Sequence, residues 1–442
     1  MRSLLITNAR LVNEGKVSDA DVLIRGERIE KIAKSINAPD NAHILDAAGR
    51  WLLPGMIDDQ VHFREPGLTQ KGDIASESAA AVAGGVTSFM DMPNVSPQTT
   101  TREALSDKYA AANGRARANY AFYLGGTNRN IEEIKALSVN EACGIKVFMG
   151  ASTGDMLVDD PDALTKIFVD APVIIVTHCE HSPTIRDNEA RAKSEFGADV
   201  PMSEHPKIRS ATACLASSSI AVDLARRHNA RLHVLHLTSA LEMGLFSRAS
   251  RTEKNITAEV CVHHLWFDES RYEDLGTRIK CNPAIKTAKD REALVSAVND
   301  GRIDIIATDH APHTIAEKKR SYFKAPAGLP LVQHALQTLF DLAKDGQLSV
   351  ETIVERTSHA VADIFGVVDR GYVREGYFAD LVLIDSNKPH TVEASNLLYK
   401  CHWSPFEGHT FSSTIDTTIV NGSVVFKDGQ LAGDVVGQRL QF

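Results

Sequence analysis

The sequence predicts an α/β protein: a (β/α)8 TIM-type barrel with a small β-sandwich domain built from both chain ends. Three observations predict this fold. Short apolar β-type segments alternate with helical segments through the middle of the chain, eight such segments can be counted, and both ends have strand-and-turn patterns instead. We therefore expect the barrel at residues 55–376 and the composite β domain at residues 1–54 and 377–442.

The two chain ends have patterns typical of strands separated by turns. The candidate strands are residues 4–11, 22–24, 29–32, 379–384, 417–420 and 423–426. Gly26 marks a turn near the start of the chain, and Asn421-Gly422 is a strong hairpin signal near its end. Because neither end has enough apolar residues to form a core alone, the sequence predicts that the two ends pack together.

The middle of the chain supplies the eight candidate barrel strands. They are residues 56–63, 86–92, 120–124, 145–148, 173–177, 232–237, 256–262 and 303–308. Helical segments separate them, among them residues 74–83, 131–137, 215–227 and 291–298. Residues 328–366 also have a helical pattern, and we expect them to complete the outer layer of the barrel before the chain rejoins the β domain.

Composition and charge indicate which kinds of molecule the protein binds. The 442-residue chain has a formal net charge of −9 and no long basic tract, which argues against nucleic acid because phosphate binding needs clustered Lys and Arg. The N-terminal apolar run is too short for a signal peptide, and no run of about 18 apolar residues predicts a transmembrane helix. The six scattered cysteines contain no C-x-x-C pair, which favours reduced thiols and a cytoplasmic location. We expect a small-molecule substrate and no membrane partner.

Polar residues end several of the apolar strands, and in this fold the active site lies at that edge of the barrel. They are His62 with Arg64, Lys146, His178, His236 and Asp309. Each signal is weak alone, because a histidine at a strand end is more often structural than a ligand. Three imidazoles, a lysine and a carboxylate converging from five strands suit a zinc-like ion.

Lys146 has a chemistry of its own at this position. A single lysine at the tip of an apolar strand would ordinarily extend its ammonium group toward solvent. Beside a cation and away from water, the ammonium form is disfavoured and the pKa falls. A neutral amine can take up carbon dioxide, and the resulting carbamate is an anionic, bidentate oxygen ligand. Lys146 could thus be carboxylated and bridge two metals or serve one ion, with unmodified lysine as the alternative.

Several segments, in order along nearly the whole chain, resemble the dihydroorotases of the amidohydrolase superfamily, a group of cyclic amide hydrolases. The matching segments are PGMID (54–58), HFREPG (62–67), GGVT (84–87), MPN (92–94), EVCVHHL (259–265), NPA (282–284), TDHAPH (308–313) and EGYFADL (375–381). The resemblance implies reversible, metal-dependent hydrolysis of dihydroorotate to N-carbamoyl-aspartate in pyrimidine biosynthesis.

The resemblance also implies a role for each site residue. It assigns the metal ligands to His62, Lys146, His178, His236 and Asp309, and the catalytic proton transfer to Asp309. It assigns substrate binding to Arg64, Asn94, Asn282, His313, Ala327 and Gly328. A guanidinium offers a rigid fork to a carboxylate, and because Arg64 follows His62 by two residues we expect both to face the same way. A pair between Arg64 and Glu65 in a loop is the alternative.

One position departs from the family pattern. The first strand of these enzymes reads Asp-x-His-x-His, and this chain has Gln60 in place of the first histidine. A glutamine oxygen is a weaker zinc ligand than an imidazole. We therefore expect one firmly bound Zn²⁺ and a second that is weak or absent.

The same departure leaves other functions open. Some relatives have lost ligands and act as non-catalytic scaffolds for a transcarbamoylase, although this chain keeps Lys146, His178, His236 and Asp309. Hydantoinase- and allantoinase-like enzymes share the metal site but hold no ring carboxylate, so Arg64 and Asn94 favour the dihydroorotase interpretation. A homodimer is a further expectation. The segment 150–157 following Lys146 could be a mobile lid, and a plain loop is the alternative.

Overall fold

A computed structural model of the chain describes residues 3–150 and 156–442. Its strands are β1 (Ser3–Asn13), β2 (Lys16–Arg25), β3 (Arg28–Ala33), β4 (His43–Asp46), β5 (Trp51–Pro54), β6 (Met56–Val61), β7 (Val86–Asp91), β8 (Asn119–Phe122), β9 (Leu124–Gly125), β10 (Ile145–Phe148), β11 (Ile175–His178), β12 (Leu232–Val234), β13 (Ile256–Cys261), β14 (Ile305–Ala307), β15 (Leu381–Asp385), β16 (His390–Thr391), β17 (Thr410–Phe411), β18 (Thr414–Val420), β19 (Ser423–Lys427) and β20 (Gln430–Leu431). Its α-helices are α1 (Ile74–Ala83), α2 (Arg102–Ala112), α3 (Ile131–Lys135), α4 (Pro161–Asp170), α5 (Ser182–Phe196), α6 (His205–Ile208), α7 (Ala211–His228), α8 (Val262–Trp266), α9 (Tyr272–Leu275), α10 (Ala288–Asp300), α11 (Ile315–Lys318), α12 (Ala335–Lys344), α13 (Val350–Val354) and α14 (Ala360–Phe365).

Parallel strands β6 to β14 form the barrel. Hydrogen bonds order them as β6-β7-β8 and as β9-β10-β11-β12-β13-β14, and β8 with β9 makes one barrel strand interrupted at Tyr123. A parallel bridge between Val61 and His310 joins the first barrel strand to the segment after the last. Across residues 3–150 and 156–442, eight barrel strands therefore alternate with helices, and the predicted (β/α)8 barrel is confirmed.

Strands from both chain ends join in one sheet beside the barrel. Its order is β20-β19-β18-β15-β5-β1-β2-β3, with β4 paired alongside β1. Strand β5 pairs with β1 on one side and with β15 on the other, so residues more than 320 apart in the chain share a ladder, as Leu53 and Val382 do. The apolar face of each end is buried against the other, as the sequence predicts. The domain boundaries at 54/55 and 376/377 remain our proposal.

The barrel interior is apolar below the level of the site. Ile57, Ala121, Val176 and Ile305 belong to one buried cluster with residues of α14. The side chain of Arg231, just before β12, donates to the carbonyl of Ile364, so α14 lies at the amino ends of the strands. The opposite, carboxyl ends are thereby left as the open side of the barrel.

One predicted element differs in extent. The helical layer predicted at residues 328–366 begins only at Ala335, and a turn and the π-helical segment Glu355–His359 interrupt it.

Packing requires a glycine at the end of α1, because a Cβ on Gly84 would lie 2.4 Å from the carbonyl oxygen of Val332. Within the described parts of the chain, each helix is too short or too polar to cross a bilayer.

Candidate active site

The carboxyl ends of the barrel strands surround a cavity of about 100 Å³. Its lining residues are Gln60, His62, Arg64, Asn94, Lys146, Phe148, His178, His236, Asn282, Asp309, Ala311, Ala327 and Gly328. Every site residue predicted from the sequence except His313 is therefore brought to one cavity. A larger cavity of about 550 Å³ beside Trp266 and Phe406 contains none of them, so chemistry rather than size identifies the site.

Two histidines face each other across this cavity. His178 Nδ1 lies 2.9 Å from His236 Nε2, and the other ring nitrogen of His178 lies 2.8 Å from Glu180 Oε2. The Glu180 carboxylate accepts a hydrogen bond there, which leaves the lone pair of His178 Nδ1 directed at His236. Arg209 pairs with the same carboxylate at 2.6 Å. This carboxylate–histidine arrangement is the one that orients imidazole ligands toward a metal.

Asp309 and His62 form the opposite side of the site. His62 Nε2 lies 3.0 Å from Asp309 Oδ1, and His62 Nδ1 lies 2.8 Å from Asn94 Oδ1. Gln60 Nε2 donates to the same Asp309 oxygen at 3.1 Å. Burial alone would raise the pKa of Asp309, but the hydrogen bond and charge of His62 outweigh it and lower the pKa. Asp309 is therefore a carboxylate near neutral pH.

Lys146 is buried in the same cavity, 1% exposed. Burial lowers its pKa to about 8, although Asp309 and Glu259 favour the charged form. Its Nζ lies 4.7 Å from the centre of the Phe148 ring. A lysine with this pKa is still mostly protonated at pH 7, but its neutral fraction, which the uptake of carbon dioxide requires, is far larger than that of an exposed lysine.

The donor set fits a zinc-like cation. Burial lowers the pKa of His178 and, with the neighbouring His178 and Lys146 charges, lowers that of His236 well below its usual range. Both rings are thus neutral and have lone pairs to give. Two facing imidazole nitrogens, with a carboxylate and a buried lysine on the same cavity, match the kinds of nitrogen and oxygen ligand that Zn²⁺ takes.

The backbone conformation of the loop after β6, and not the two-residue spacing from His62, directs Arg64 into the site. Strand β6 ends at Val61, and Arg64 has a φ of 68° in the loop that follows, so strand alternation does not set its direction. Its Nε donates to the Pro312 carbonyl at 3.0 Å. Glu65 instead pairs with Arg115, so the alternative of an Arg64–Glu65 pair is wrong. Burial lowers the pKa of Arg64 to about 10, and the side chain remains a cation.

His313 lies behind Arg64 rather than on the cavity wall. Its Nε2 is 3.1 Å from Arg64 Nη2 and 3.0 Å from the Ala327 carbonyl oxygen. Lys71 Nζ approaches its other ring nitrogen at 3.1 Å. Because Lys71 donates to Nδ1, Nε2 carries the hydrogen and donates to the Ala327 carbonyl. His313 therefore holds the 327–328 segment in position and packs against the Arg64 guanidinium.

The remaining predicted contacts lie on the cavity wall. Asn282 Oδ1 is buried without a hydrogen-bond partner among the described residues, so it can accept from a ligand N–H. Gly328 has a φ of 138°, and a Cβ there would lie 2.4 Å from the Ala311 carbonyl oxygen. Only glycine fits that close approach.

Residues 51–425 match the amidohydrolase family. The chain belongs to this family. This amidohydrolase is 34% identical to a dihydroorotase of Halobacterium salinarum, over 98% of its own length and 100% of that protein's. It is 27% identical to an allantoinase of Desulfitobacterium hafniense, over 99% and 98% of the two chains. A solved L-hydantoinase (dihydropyrimidinase) of Arthrobacter aurescens superposes with a TM-score of 0.94 at 26% identity, covering 100% of both chains.

Sequence reasoning missed two side chains that support the site of this amidohydrolase. Glu180 orients His178, and its position two residues after a predicted ligand was a usable signal. Asp58 accepts from Thr308 Oγ1 at 2.6 Å and from Thr308 N at 3.1 Å, and it thereby joins the first barrel strand to the residue before Asp309.

Four further histidines are buried: His263, His264, His310 and His359. His310 lies 2.8 Å from the Glu77 carboxylate, and His359 lies 2.6 Å from the Gly371 carbonyl oxygen, so both are structural. The lid predicted for residues 150–157 falls largely on residues 151–155, which lie outside the described part of the chain.

Proposed function

We propose that this amidohydrolase is a dihydroorotase, which interconverts dihydroorotate and N-carbamoyl-aspartate. The observation that carries the proposal is the buried guanidinium of Arg64 in the same cavity as the metal-ligand set. A buried cation with a planar fork is suited to a substrate carboxylate, and dihydroorotate carries one on its ring. The 34% identity to a dihydroorotase along the whole chain supports the same conclusion.

One set of residues in the cavity would bind the cation, and another set would bind the substrate. His178, His236, Lys146, His62 and Asp309 would bind Zn²⁺, with Lys146 carboxylated. When bound, the metal lowers the pKa of water and polarises the ring amide carbonyl. The buried amine of Lys146, with its pKa of about 8, supports the carboxylation.

Substrate binding is assigned to the other side of the cavity. Arg64 and the amide of Asn94 bind the ring carboxylate, with His313 packed behind the guanidinium. Asn282 Oδ1, which has no partner among the described residues, accepts from a ring N–H. The backbone at Ala327 and Gly328 contacts the pyrimidine ring, where a side chain on Gly328 would collide with Ala311.

Asp309 transfers a proton from the attacking water to the leaving amide nitrogen. It is a carboxylate near neutral pH because His62 lowers its pKa, so it can take a proton from the attacking water. It then passes that proton to the amide nitrogen as the ring C–N bond breaks. In the ring-closing direction the same carboxylate removes the proton from that nitrogen.

Replacing Arg64 tests the proposed function. We expect Arg64→Met to reduce kcat/KM for dihydroorotate by at least 100-fold, because a buried charge-assisted pair of hydrogen bonds is lost. Turnover is followed in both directions, from dihydroorotate and from N-carbamoyl-aspartate. Arg64→Lys is the matched control, which keeps the charge but not the fork and should retain intermediate activity. Unchanged turnover in Arg64→Met would refute the substrate assignment.

A hydantoinase or allantoinase activity is the second candidate, because the superposition on the L-hydantoinase is close along the full chain. Hydantoin and allantoin have no ring carboxylate, so a buried Arg64 would have no partner in them. Assay of the wild-type protein on hydantoin, allantoin and dihydroorotate separates the candidates. Loss of activity on all three, with metal bound, would favour the scaffold alternative instead.

A further inference from the structure

Three ionisable side chains meet inside the barrel, beneath the active site. Asp59 on β6, His233 on β12 and Glu259 on β13 are each 0% exposed, and we call them the core triad. His233 Nε2 lies 3.4 Å from Asp59 Oδ2 and 3.8 Å from Glu259 Oε2. One ligand-type atom from each residue lies within 4.8 Å of the others.

The atoms that point into the core triad have no hydrogen-bond partner. In the part of the chain that the structure describes, Asp59 Oδ1, Asp59 Oδ2, His233 Nε2 and Glu259 Oε2 are all buried and unpartnered. Buried polar groups are normally satisfied, and an orphaned one costs about 1–3 kcal/mol or more if charged. Three of these atoms, Asp59 Oδ2, His233 Nε2 and Glu259 Oε2, face one another, and a bound cation would satisfy all three.

The atoms that point away from the core triad are, in contrast, satisfied. His233 Nδ1 lies 2.8 Å from Thr257 Oγ1. Glu259 Oε1 accepts from the backbone N of His236 at 3.0 Å and from Cys261 Sγ at 3.4 Å. Metal-ligating histidines and carboxylates have such partners on their far side, which fix the ring and the carboxylate in orientation.

Distances within the core triad are longer than hydrogen bonds and close to those of a coordination shell. A charge-assisted N–H···O bond is about 2.7–2.9 Å long, and both His233 contacts are longer. Ligands about 2.0–2.2 Å from a tetrahedral zinc ion lie about 3.3–3.6 Å from one another. The 3.4 Å contact with Asp59 falls within this range, and the 3.8 Å contact with Glu259 is slightly longer. Two carboxylates buried this closely also repel each other, and a divalent cation neutralises both.

We propose that the core triad binds a Zn²⁺ ion of its own, separate from the active-site metal. One oxygen of Asp59, Nε2 of His233 and Oε2 of Glu259 supply three protein donors. One imidazole with two carboxylates suits Zn²⁺ better than Ca²⁺ or Mg²⁺, which take six or more oxygens. The ion ties β6, β12 and β13 together, and through Glu259 it fixes the backbone at His236.

Anomalous diffraction from wild-type crystals grown with zinc tests the proposal directly. We expect a peak at the zinc edge between Asp59, His233 and Glu259, in addition to the active-site peak, which serves as the internal control. An active-site peak with none at the core triad would overturn the proposal, and it would show that His233 holds only a proton there. This readout does not depend on which substrate the enzyme turns over.

Zinc analysis of variants gives a second, independent measurement. We expect Asp59→Asn to lower the zinc content of the full-length protein by about one ion per chain relative to wild type. Glu242→Gln is the matched control, a buried carboxylate that is bonded to Ser218 and Ser239 at 2.7 and 2.8 Å, and it should leave the content unchanged. Equal zinc content in Asp59→Asn and wild type would overturn the proposal. If Asp59→Asn fails to fold, the crystallographic result decides.

Discussion

Gln60 occupies the position of the first histidine in the family's Asp-x-His-x-His pattern, where an imidazole would be a metal ligand. Its amide nitrogen donates to Asp309 Oδ1 at 3.1 Å, and its oxygen lies 3.8 Å from Cys261 Sγ. As a neutral, weaker oxygen donor it binds Zn²⁺ poorly. The position served by Lys146 and His178 does not depend on it, so the two metal positions should differ in affinity.

Restoring the imidazole should therefore restore the second ion. We expect Gln60→His to raise the zinc content by up to one ion per chain relative to wild type, measured by elemental analysis after equilibration with zinc. Gln60→Asn is the control, which keeps an amide and should not raise it. Two fully occupied active-site zinc ions in the wild-type protein would contradict the prediction.

Glu180 orients His178, a proposed metal ligand. We expect Glu180→Gln to weaken zinc binding about 10- to 100-fold, because the carboxylate no longer fixes the tautomer and basicity of His178. Competition with a chromogenic chelator measures the change. Glu204→Gln removes a carboxylate that pairs with the exposed Lys207 and should leave the affinity as it was. An unchanged affinity in Glu180→Gln would exclude this positioning role.

Elements of the barrel and of the β sheet are joined by one buried carboxylate. Asp380, just before β15, pairs with Arg370, accepts from the backbone of Asn421 at 2.7 Å and accepts from Asn119 Nδ2 on β8 at 3.1 Å. Because these groups come from a barrel strand, a hairpin and a connecting loop, the carboxylate fixes three elements relative to one another.

Removing that carboxylate should destabilise the junction. We expect Asp380→Ala to lower the free energy of unfolding by about 3–5 kcal/mol, since Arg370 is left as a buried, unpaired charge. Denaturant titration measures it. Asp385→Ala, at the far end of the same strand, removes an acceptor of the Asn387 backbone N–H and should cost far less. Equal losses in the two variants would argue against the junction.

At the scale of the whole molecule, acid stability depends on a buried histidine. His334 packs between Tyr399, Phe406 and Phe411, and burial, with His390 and His409 nearby, lowers its pKa to about 3. An unfolded chain protonates the same ring near pH about 6.5. Between these values the unfolded state binds more protons, so stability is present above pH 6.5 and is lost as pH falls toward 3.

His334→Phe should flatten this acid dependence. The free energy of unfolding of the wild type should fall by up to about 1.4 kcal/mol per pH unit in this window from this one group, and the variant should lack that contribution. Denaturant titrations at pH 7, 6, 5 and 4 give the slope. His43→Gln, an exposed histidine, should keep the wild-type slope. A variant as acid-sensitive as the wild type would refute the assignment.

Association with other chains is also a property of the whole molecule. The homodimer stays a prediction from the barrel-and-β-domain architecture, and the association with a transcarbamoylase stays a prediction from the resemblance. Light scattering of the purified protein, alone and mixed with the transcarbamoylase of the same organism, measures both.

The sequence by itself determined the architecture and most of the cavity. Apolar periodicity is local, so the eight barrel strands and helices such as α1 could be predicted from neighbouring residues. Residues that end those strands had to meet, because parallel barrel strands place their carboxyl ends on one side. That reasoning brought His62, Lys146, His178 and Asp309 to the same place.

Tertiary structure alone decided what depends on contacts between distant residues. Arg64 reaches the cavity because its backbone is left-handed and its side chain donates to the Pro312 carbonyl. The alternation of side chains along a strand, which the sequence prediction used, does not apply to this loop. His313 lies behind Arg64 because Ala327 and Lys71 occupy its nitrogens. The core triad joins positions 59, 233 and 259, and no local pattern marks these three buried ionisable side chains as neighbours. Their spacing is set by the radius and stagger of the barrel, which form only when the chain closes.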